Sequence, residues 1–522
     1  MNISVHKDER GARIVPPLGT RDREGPRPLL SLLTTLPWVF PWILITFFSI
    51  AYIRLALLNH LQFRTGLDLG IYGQALYHLS HFRLPYSTFK EQVLWGDHAH
   101  FILVFLAPLY RIFPDVRLLL ITQALAVTTA GWALYRVARD TVRSTFFALA
   151  ALVSYLSFIG IQHALDFDFH PSVLTGAAML WVIYALHVRN FPLYWMALGL
   201  GLITREDAGP IFFMLGAYLL FRRRQALAVA TMLVSAVYFF TVGYGIMPIW
   251  TPGHIPLAYL DVPDKNPIRI LRDTVARPIT TVQNMVDTPE KVHTIKTLFS
   301  SFAFLPLFSP FTYLTSLPIF LSRFLSPNEY RWFIQSHSNA NILPILAYGT
   351  VLGAAAVLRL AQRAGERIRH VAAMGLSALL LVSAYLTAWR DPDAPLRKLT
   401  RPEFTDEASL PRTGIAAFQL VKAIIPPEGG VSASSGFVPH LSGRKYVVNF
   451  PEIKDHTHWI VLSQEFNTWP LRKGETDTAI AELIRNPDYE LLWQEYGIYL
   501  FKKKRFSSQP DSGATTVSEP PP

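Results

Sequence analysis

The sequence predicts an all-α polytopic membrane protein with about 10–12 transmembrane helices and a small α/β extracytoplasmic domain at its C-terminal end. Three observations support this fold class. Of the 522 residues, 51% are hydrophobic and 16% are charged, whereas soluble proteins carry about 25% charged residues. Long uncharged runs recur up to residue 389, and charged residues return from residue 390 onward.

The uncharged runs indicate helices that span a membrane. Most are long enough to cross a bilayer, which takes roughly 17–25 apolar residues in a helix. They span 28–53, 118–135, 144–165, 171–188, 226–248, 297–322, 341–358 and 371–389. Helices of a soluble protein would need a polar face, which these runs lack. Three prolines interrupt 297–322 and favour short or kinked helices there.

Charge flanking the runs predicts their orientation and the domain boundaries. Residues 1–28 carry six basic side chains and are predicted to be a cytoplasmic tail, because basic flanks stay inside. A multi-span membrane domain over 29–389 follows, with predicted external loops at 60–97 and 249–295. The topology around 98–138 remains open. With the basic links inside, the two apolar runs 98–110 and 118–135 together cross the membrane only once. Either one of the two runs is re-entrant, or one basic link lies outside.

The region from residue 390 onward has the composition of a soluble domain. Segments 445–450, 458–463 and 490–503 are typical of strands and a helix. The preceding span emerges outside, so 390–505 is predicted to be extracytoplasmic, and 506–522 is predicted to be a disordered tail. In the first external loop, the helical spacing of apolar residues from Leu69 to Leu79 predicts an amphipathic helix on the membrane surface.

Several function classes are excluded by composition. The chain has no cysteine, which excludes disulfides, thiol catalysis and Cys-ligated metal centres. The polar N-terminus lacks the apolar stretch of a cleaved signal peptide. The formal net charge of +11 is typical of basic cytoplasmic loops, and no basic run is interleaved with aromatic residues as a nucleic-acid surface requires.

Ionisable groups beside membrane spans are costly to bury, so they are candidate functional residues. Four clusters qualify: Asp68; Asp97, His98 and His100; Asp166, Asp168 and His170; and Arg205, Glu206 and Asp207. The orientation predicted from charge brings all four to one membrane face, where carboxylates and histidines can act as general base or metal ligands. A cation beside carboxylates also suits a phosphate.

Each cluster also has a structural explanation. Asp68 is placed where it could cap the following helix, a role worth about 1 kcal/mol. Asp97 and His98 precede an apolar run and could form a cap with an interfacial histidine. The Asp166–His170 segment could be a solvated loop, and Arg205 with its acidic neighbours could form an internal ion pair.

Five short motifs together resemble a known family. They are LDLGIYGQALYHLSH at 67–81, GDH at 96–98, APLY at 107–110, FDFHP at 167–171 and RED at 205–207. With PHLSGR at 439–444 and VNFP at 448–451, they resemble the DUF2079 family of predicted membrane proteins over about 38–460. That family is grouped with the GT-C superfamily of membrane glycosyltransferases.

The resemblance implies a GT-C-like enzyme of the plasma membrane that takes its sugar from a polyprenyl-phosphate donor in the lipid bilayer and passes it to an unknown extracytoplasmic acceptor. It implies Asp68 as general base, with Asp97 as the second candidate. The implied substrate-binding residues are Arg205, Glu206, Asp207 and His337. A divalent metal ion, Mg or Mn, would be held by Asp168, His170 and His98, and no nucleic acid is involved.

Two other functions remain open at this point. A transporter or flippase of a lipid-linked or polar solute would have two similar halves with broken helices at corresponding positions, and no such correspondence is visible. A non-catalytic membrane scaffold would tolerate replacement of Asp68.

Overall fold

A computed structural model describes residues 28–253, 267–405 and 412–504. The predicted N-terminal tail (apart from Pro28), the middle of the predicted loop 249–295 and the predicted disordered tail lie outside the described residues. The chain divides into two compact units, residues 1–40 and residues 41–522. The predicted C-terminal domain therefore belongs to the same compact unit as most of the membrane helices.

The first half of the chain is almost entirely helical. Its helices are α1 (Pro28–Leu61), α2 (Leu67–Ser80), α3 (Leu94–Asp97), α4 (Ile102–Ile112), α5 (Arg117–Val142), α6 (Thr145–Ser157), α7 (Ile159–Asp166), α8 (Pro171–His187), α9 (Phe191–Leu202), α10 (Ala208–Phe221), α11 (Gln225–Phe240) and α12 (Met247–Trp250). A short hairpin, β1 (Tyr86–Ser87) with β2 (Gln92–Val93), follows α2.

The second half begins with the helices α13 (Pro267–Ala276), α14 (Pro278–Met285), α15 (Pro289–Ser300), α16 (Pro310–Phe324), α17 (Glu329–Trp332), α18 (Asn339–Arg363) and α19 (Glu366–Ala384). The run 297–322 is broken, as its prolines predict. The helix α15 ends at Ser300, a 3-10 turn covers Leu305–Phe308, and α16 starts at Pro310. Proline removes a backbone donor and clashes with the preceding turn, which ends or bends a helix.

Within the described residues, five helices are long and apolar enough to cross a membrane. They cover Pro37–Leu61, Arg117–Val142, Gln225–Trp250, Asn339–Arg363 and Glu366–Trp389, and the bent pair α6–α7 makes a sixth if it is one span. Four shorter apolar helices, α4, α8, α9 and α10, have 10–17 residues. The protein is thus a multi-span helical membrane protein, and the predicted total of about 10–12 requires that shorter helices also cross.

The C-terminal region is a small α/β structure, as predicted. Its elements are α20 (Pro402–Thr405), α21 (Arg412–Ile424), β3 (Gly430–Ala433), α22 (Val438–Leu441), β4 (Val447–Asn449), β5 (Thr457–Ser463), α23 (Lys473–Arg485), β6 (Tyr489–Glu495) and β7 (Ile498–Lys503). The sheet order is β4-β3-β5-β7-β6, with β3, β4 and β5 parallel and β7 antiparallel to both neighbours. Segment 490–503 forms a hairpin, because Gly497 at φ 66° supports a tight turn.

The helix α2 differs from its prediction in one respect. The predicted helix forms, but it does not lie on a surface with one face in solvent, because residues Leu69 to Leu76 are all buried. It packs against α4 on one side and against α22 of the C-terminal region on another. The apolar spacing seen in the sequence is therefore the spacing of a helix enclosed by protein.

Candidate functional site

A single large cavity collects residues from all four ionisable clusters. Its volume is about 540 Å³. Of the side chains considered as candidates from the sequence, it is lined by Asp68, Asp97, His98, His100, His170, Arg205, Asp207 and His337. Asp168 and Glu206 are instead buried behind its wall, with 2% and 1% exposure. Residues more than 250 positions apart in sequence thus surround one volume.

The carboxylate of Asp168 holds the N-terminus of α2. It accepts hydrogen bonds from the backbone N–H of Gly66 at 3.0 and 3.1 Å and from that of Leu69 at 3.1 Å. The first N–H groups of a helix have no partner within the helix and need such an acceptor. The residue at the N-cap position, Gly66, has no side chain for this role. Asp168 is therefore a cap supplied from a distant segment, and Asp68 is not needed for capping.

Asp68 lies in the first turn of α2 and faces His170. Its Oδ2 is 3.3 Å from Nε2 of His170, and its side chain is 43% exposed, so a ligand in the cavity can reach it. Burial by itself raises the pKa of Asp68, but the hydrogen bond and the charge of His170 outweigh that effect and hold the pKa below its ordinary value. The carboxylate is consequently ionised at neutral pH and able to accept a proton.

His170 is fixed on several sides. Its backbone N–H donates to Oε1 of Gln123 at 2.7 Å, and its ring stacks on that of His337 at 3.7 Å with an angle of 8°. Burial, followed by the positive charges of His170, Arg205 and nearby arginines, lowers the pKa of His337 well below its ordinary value. His337 is therefore neutral and supports the ring that faces Asp68.

Asp97 is the second carboxylate of the cavity that the sequence proposes as a base. Its Oδ2 lies 3.4 Å from Nζ of Lys90, which also lines the cavity. Burial raises the pKa of Asp97, but His98 and Lys90 together lower it below its ordinary value. Asp97 is thus an ionised carboxylate already paired with a cation, whereas the partner of Asp68 is a histidine.

Glu206 joins two of the clusters behind the wall. Its Oε1 accepts from Nδ1 of His98 at 2.8 Å, and its Oε2 accepts from the backbone N–H of Ala99 at 3.0 Å. Arg205 lies 3.5 Å from Glu206 and 3.4 Å from Asp207 through its Nε. Although burial raises the pKa of Glu206, His98 and Arg205 hold it far below its ordinary value. Glu206 is a buried tether between the 97–100 segment and the link before α10.

A second tether involves His100. Its Nδ1–H donates to the carbonyl of Thr204 at 2.7 Å, which leaves Nε2 to accept from the hydroxyl of Tyr72 at 3.2 Å. Burial, with the charge of His98 next, lowers the pKa of His100 to about 3, so the ring stays neutral. A continuous series of hydrogen bonds therefore joins α2 to the 204–206 link through the ring of His100.

The cavity also contains cations and polar side chains that none of the four ionisable clusters of the sequence includes. Lys90, Arg323 and Arg331 line it, together with Asn328, Tyr330, Ser338 and Asn341. Arg323 is 3% exposed, and its Nη1 has no hydrogen-bond partner. Within the described ranges, no carboxylate forms an ion pair with it. The sequence does contain one signal that points to Arg323, which is its position: it is the charged residue that ends the uncharged run 297–322.

The remaining walls are apolar. They come mainly from α10, through Pro210, Ile211 and Met214, and from α16, through Leu317, Pro318, Ile319 and Leu321. Leu317 lines the cavity, and Tyr313, one helical turn earlier in α16, is 57% exposed and does not line it. The side of α16 that carries the apolar wall therefore continues beyond the cavity to an exposed aromatic side chain.

The predicted metal ligands do not converge. Both oxygens of Asp168 accept backbone N–H groups, Nδ1 of His98 is bonded to Glu206, and His170 faces Asp68. In the parts of the chain that the structure describes, no group of three or more His, Asp or Glu side chains is arranged to hold a metal ion. As arranged in the structure, Asp168, His170 and His98 do not fit a Mg or Mn ion.

Comparison with known proteins identifies a family and a similarity to a solved structure. The sequence matches the DUF2079 family, described as predicted membrane protein, over residues 54–500. No curated protein matches it. A search of solved structures finds similarity to the crystal structure of ArnT from Cupriavidus metallidurans in the apo state, with 13% sequence identity, coverage of 89% of this chain and 97% of that chain, and a TM-score of 0.45.

Proposed function

Because the chain belongs to the DUF2079 family of predicted membrane proteins, we propose that it is a GT-C-type glycosyltransferase of the plasma membrane. It transfers a sugar from a polyprenyl-phosphate donor to an extracytoplasmic acceptor, and its C-terminal domain lies on the extracytoplasmic side. The observation that carries the proposal is the composition of the cavity. An ionised, partly exposed Asp68, several cations and an apolar wall surround the same volume.

Asp68 is the general base in this proposal. An acceptor hydroxyl must lose its proton as it attacks the anomeric carbon of the sugar, and an ionised carboxylate can accept that proton. His170, 3.3 Å away, orients the carboxylate. Asp97 remains the second candidate, because it is also an ionised carboxylate that lines the cavity, and it is paired with Lys90.

The phosphate of the donor requires positive charge in both the bound and the departing state. Arg205 lines the cavity beside the acidic groups. Arg323 and Arg331 line it as well, and the buried charge of Arg323 has no carboxylate partner among the described residues. An anionic ligand would offset the cost of burying that charge. Asp207 and His337 complete the polar wall around the headgroup.

The isoprenoid tail requires an apolar path to the bilayer. The wall formed by α10 and α16 supplies one, and the exposed Tyr313, one turn from Leu317 in α16, lies outside the cavity at the end of this path. A donor whose tail stays in the membrane can therefore place its phosphate in the cavity. The sugar is delivered by a lipid, so no cytosolic nucleotide-sugar domain is needed.

The test is transfer of radiolabelled sugar from polyprenyl-phosphate donors in liposomes that contain the purified protein and an extract of acceptor membranes. We expect Asp68→Asn to lower the rate by about 10²–10⁴-fold, the usual contribution of a general base, with unchanged insertion and unfolding temperature. Asp455→Asn, on an exposed loop of the C-terminal domain, is the matched control and should retain activity. Wild-type transfer in Asp68→Asn would remove the base assignment, and movement of labelled lipid across the bilayer without transfer would favour a flippase.

A further inference from the structure

The glycines of the LDLGIYG motif form a flat face on α2 that touches the C-terminal domain. A Cβ atom at Gly70 would lie 2.3 Å from Cγ1 of Val438, and one at Gly73 would lie 2.2 Å from Oγ of Ser442. Both distances are far below the 3.4 Å of ordinary van der Waals contact. At the N-cap, a Cβ at Gly66 would lie 3.0 Å from Oγ of Ser435. Only glycine lets α2 and the segment around α22 approach this closely.

Asp68 lies on the other side of the same helix. Successive residues of an α-helix are rotated by about 100°, so Asp68 points away from Gly70 by roughly 200°. Ile71 and Tyr72 share the side of Asp68 and line the cavity with it. The helix α2 is thus a single layer between the C-terminal domain and the cavity, and any shift of its glycine face moves Asp68.

The segment that α2 contacts is itself held firmly by the sheet. The backbone N–H of Ser434, directly after β3, donates to the carbonyl of Val461 in β5 at 2.9 Å, and its hydroxyl accepts from the N–H of Ser463 at 3.0 Å. Val438 and Leu441 of α22 are buried in the core of the C-terminal domain. The surface against which the glycines pack is therefore rigid.

Further contacts fasten the first external loop to the same domain. Nε2 of Gln74 donates to the carbonyl of Lys445 at 3.0 Å, and the hydroxyl of Thr88 accepts from the backbone N–H of Val447 at 3.3 Å. Phe63, between α1 and α2, belongs to the apolar core of the C-terminal domain. These contacts precede and follow Asp68 in sequence, so both flanks of its helix are anchored.

From these contacts we infer that the C-terminal domain is a fixed part of the catalytic site, in which Val438 and Ser442 are positioning residues that set the place of Asp68 through the glycine face of α2. The inference rests on the proposed function for its activity measurement. In this arrangement the domain stays seated on α2 throughout turnover, and it does not detach to bring an acceptor.

Gly70→Ala tests the positioning. Relief of a 2.3 Å contact to an ordinary 3.4 Å separation requires a shift of about 1 Å, and a misplacement of that size can cost about 10²-fold in rate. We expect kcat to fall by about that factor with little change in KM. Val438→Ala removes the clashing Cγ1, so the double variant should recover most of the lost kcat. Gly199→Ala, in α9 with nothing within 4 Å of its Cβ, is the matched control and should behave as wild type.

Recovery in the double variant shows that the contact between these two positions causes the loss of kcat, and the unfolding temperature separates positioning from simple destabilisation. Wild-type kcat in Gly70→Ala, or a double variant no more active than Gly70→Ala, would overturn the inference. The unfolding temperature of each variant is measured alongside, and a loss of kcat at unchanged unfolding temperature is the expected pattern.

A cross-link tests, independently of the reaction, whether the C-terminal domain stays in contact with α2. The natural chain has no cysteine, and a Cβ at Gly70 would lie 3.6 Å from Cβ of Val438, within the roughly 3.5–4.5 Å that disulfides require. We expect the Gly70→Cys, Val438→Cys pair to oxidise readily, and we expect the oxidised and reduced forms to transfer sugar at the same rate. Failure to oxidise, or loss of transfer only in the oxidised form, would overturn the inference. Absence of transfer in the wild-type protein would instead reject the proposed function, while the cross-link would still report the contact.

Discussion

Removal of the Asp168 carboxylate should destabilise α2 strongly, because Asp168 is the only side chain in the described structure that caps this helix. Asp168→Ala leaves the N–H groups of Gly66 and Leu69 without an acceptor. An unsatisfied buried donor costs about 1–3 kcal/mol, so the loss of both should lower the free energy of unfolding by about 2–6 kcal/mol. Asp168→Asn keeps one carbonyl oxygen and should lose less.

Thermal unfolding in a fixed detergent and lipid mixture, followed by tryptophan fluorescence, measures this effect. Because Asp68 lies between the two donors, the same variant should also lose transfer activity. Asp455→Ala on the exposed loop serves as control. If Asp168→Ala unfolds at the same temperature as the Asp455→Ala control, the capping role of Asp168 is refuted. The reason for treating Asp68 as a residue without a structural role would then be lost as well.

The titration of Asp168 provides a second readout of the same site. Burial, reinforced by the charge of Asp68, raises the pKa of Asp168 from 3.8 to about 6, against the opposing effect of the two N–H donors. A raised folded-state pKa favours the folded protein below pH 3.8, and this contribution is lost as the pH rises through about 6. Two pKa units correspond to about 3 kcal/mol. The stability of the wild type relative to Asp168→Asn should therefore fall over this window, and a constant difference would contradict the burial of an ionisable group here.

Two further predictions concern the walls of the cavity. Glu206→Ala should lower the free energy of unfolding by about 3–5 kcal/mol, because it leaves His98 and Arg205 without their buried anion; an unfolding temperature equal to that of wild type would show that water replaces the carboxylate at no cost. Chelation of divalent metals should leave sugar transfer unchanged, since Asp168, His170 and His98 are engaged elsewhere; loss of activity that added Mg or Mn restores would show that substrate groups complete a metal site.

The sequence was sufficient to predict the membrane class and the outline of the C-terminal domain. Uncharged runs of about 20 residues must become helices in lipid, where every backbone group needs an internal partner. Prolines in 297–322 predicted the break between α15 and α16, and β-branched segments predicted β4 and β5. These are local rules, in which a residue and its near neighbours determine the outcome.

The roles of individual polar residues depended on tertiary contacts. Asp68 and Asp168 are both acidic residues next to helices, and nothing in their local sequence shows which of the two caps α2. The distinction arises because Asp168 approaches α2 from about 100 residues away in sequence and satisfies its N–H groups, which leaves Asp68 to face His170 and the cavity. A hydrogen bond depends on distance in space, so its partner cannot be read from spacing along the chain.

The glycine face of α2 illustrates the same division. The sequence determines that Gly66, Gly70 and Gly73 occur at helical spacing, and that the helix they belong to is apolar. Only the folded chain decides that Val438 and Ser442, more than 360 residues later, fill the space the glycines leave. Composition and periodicity determine which face of a segment can be buried. Close packing in the folded chain determines the partner against which that face is buried. For α2, this contact also determines the position of Asp68.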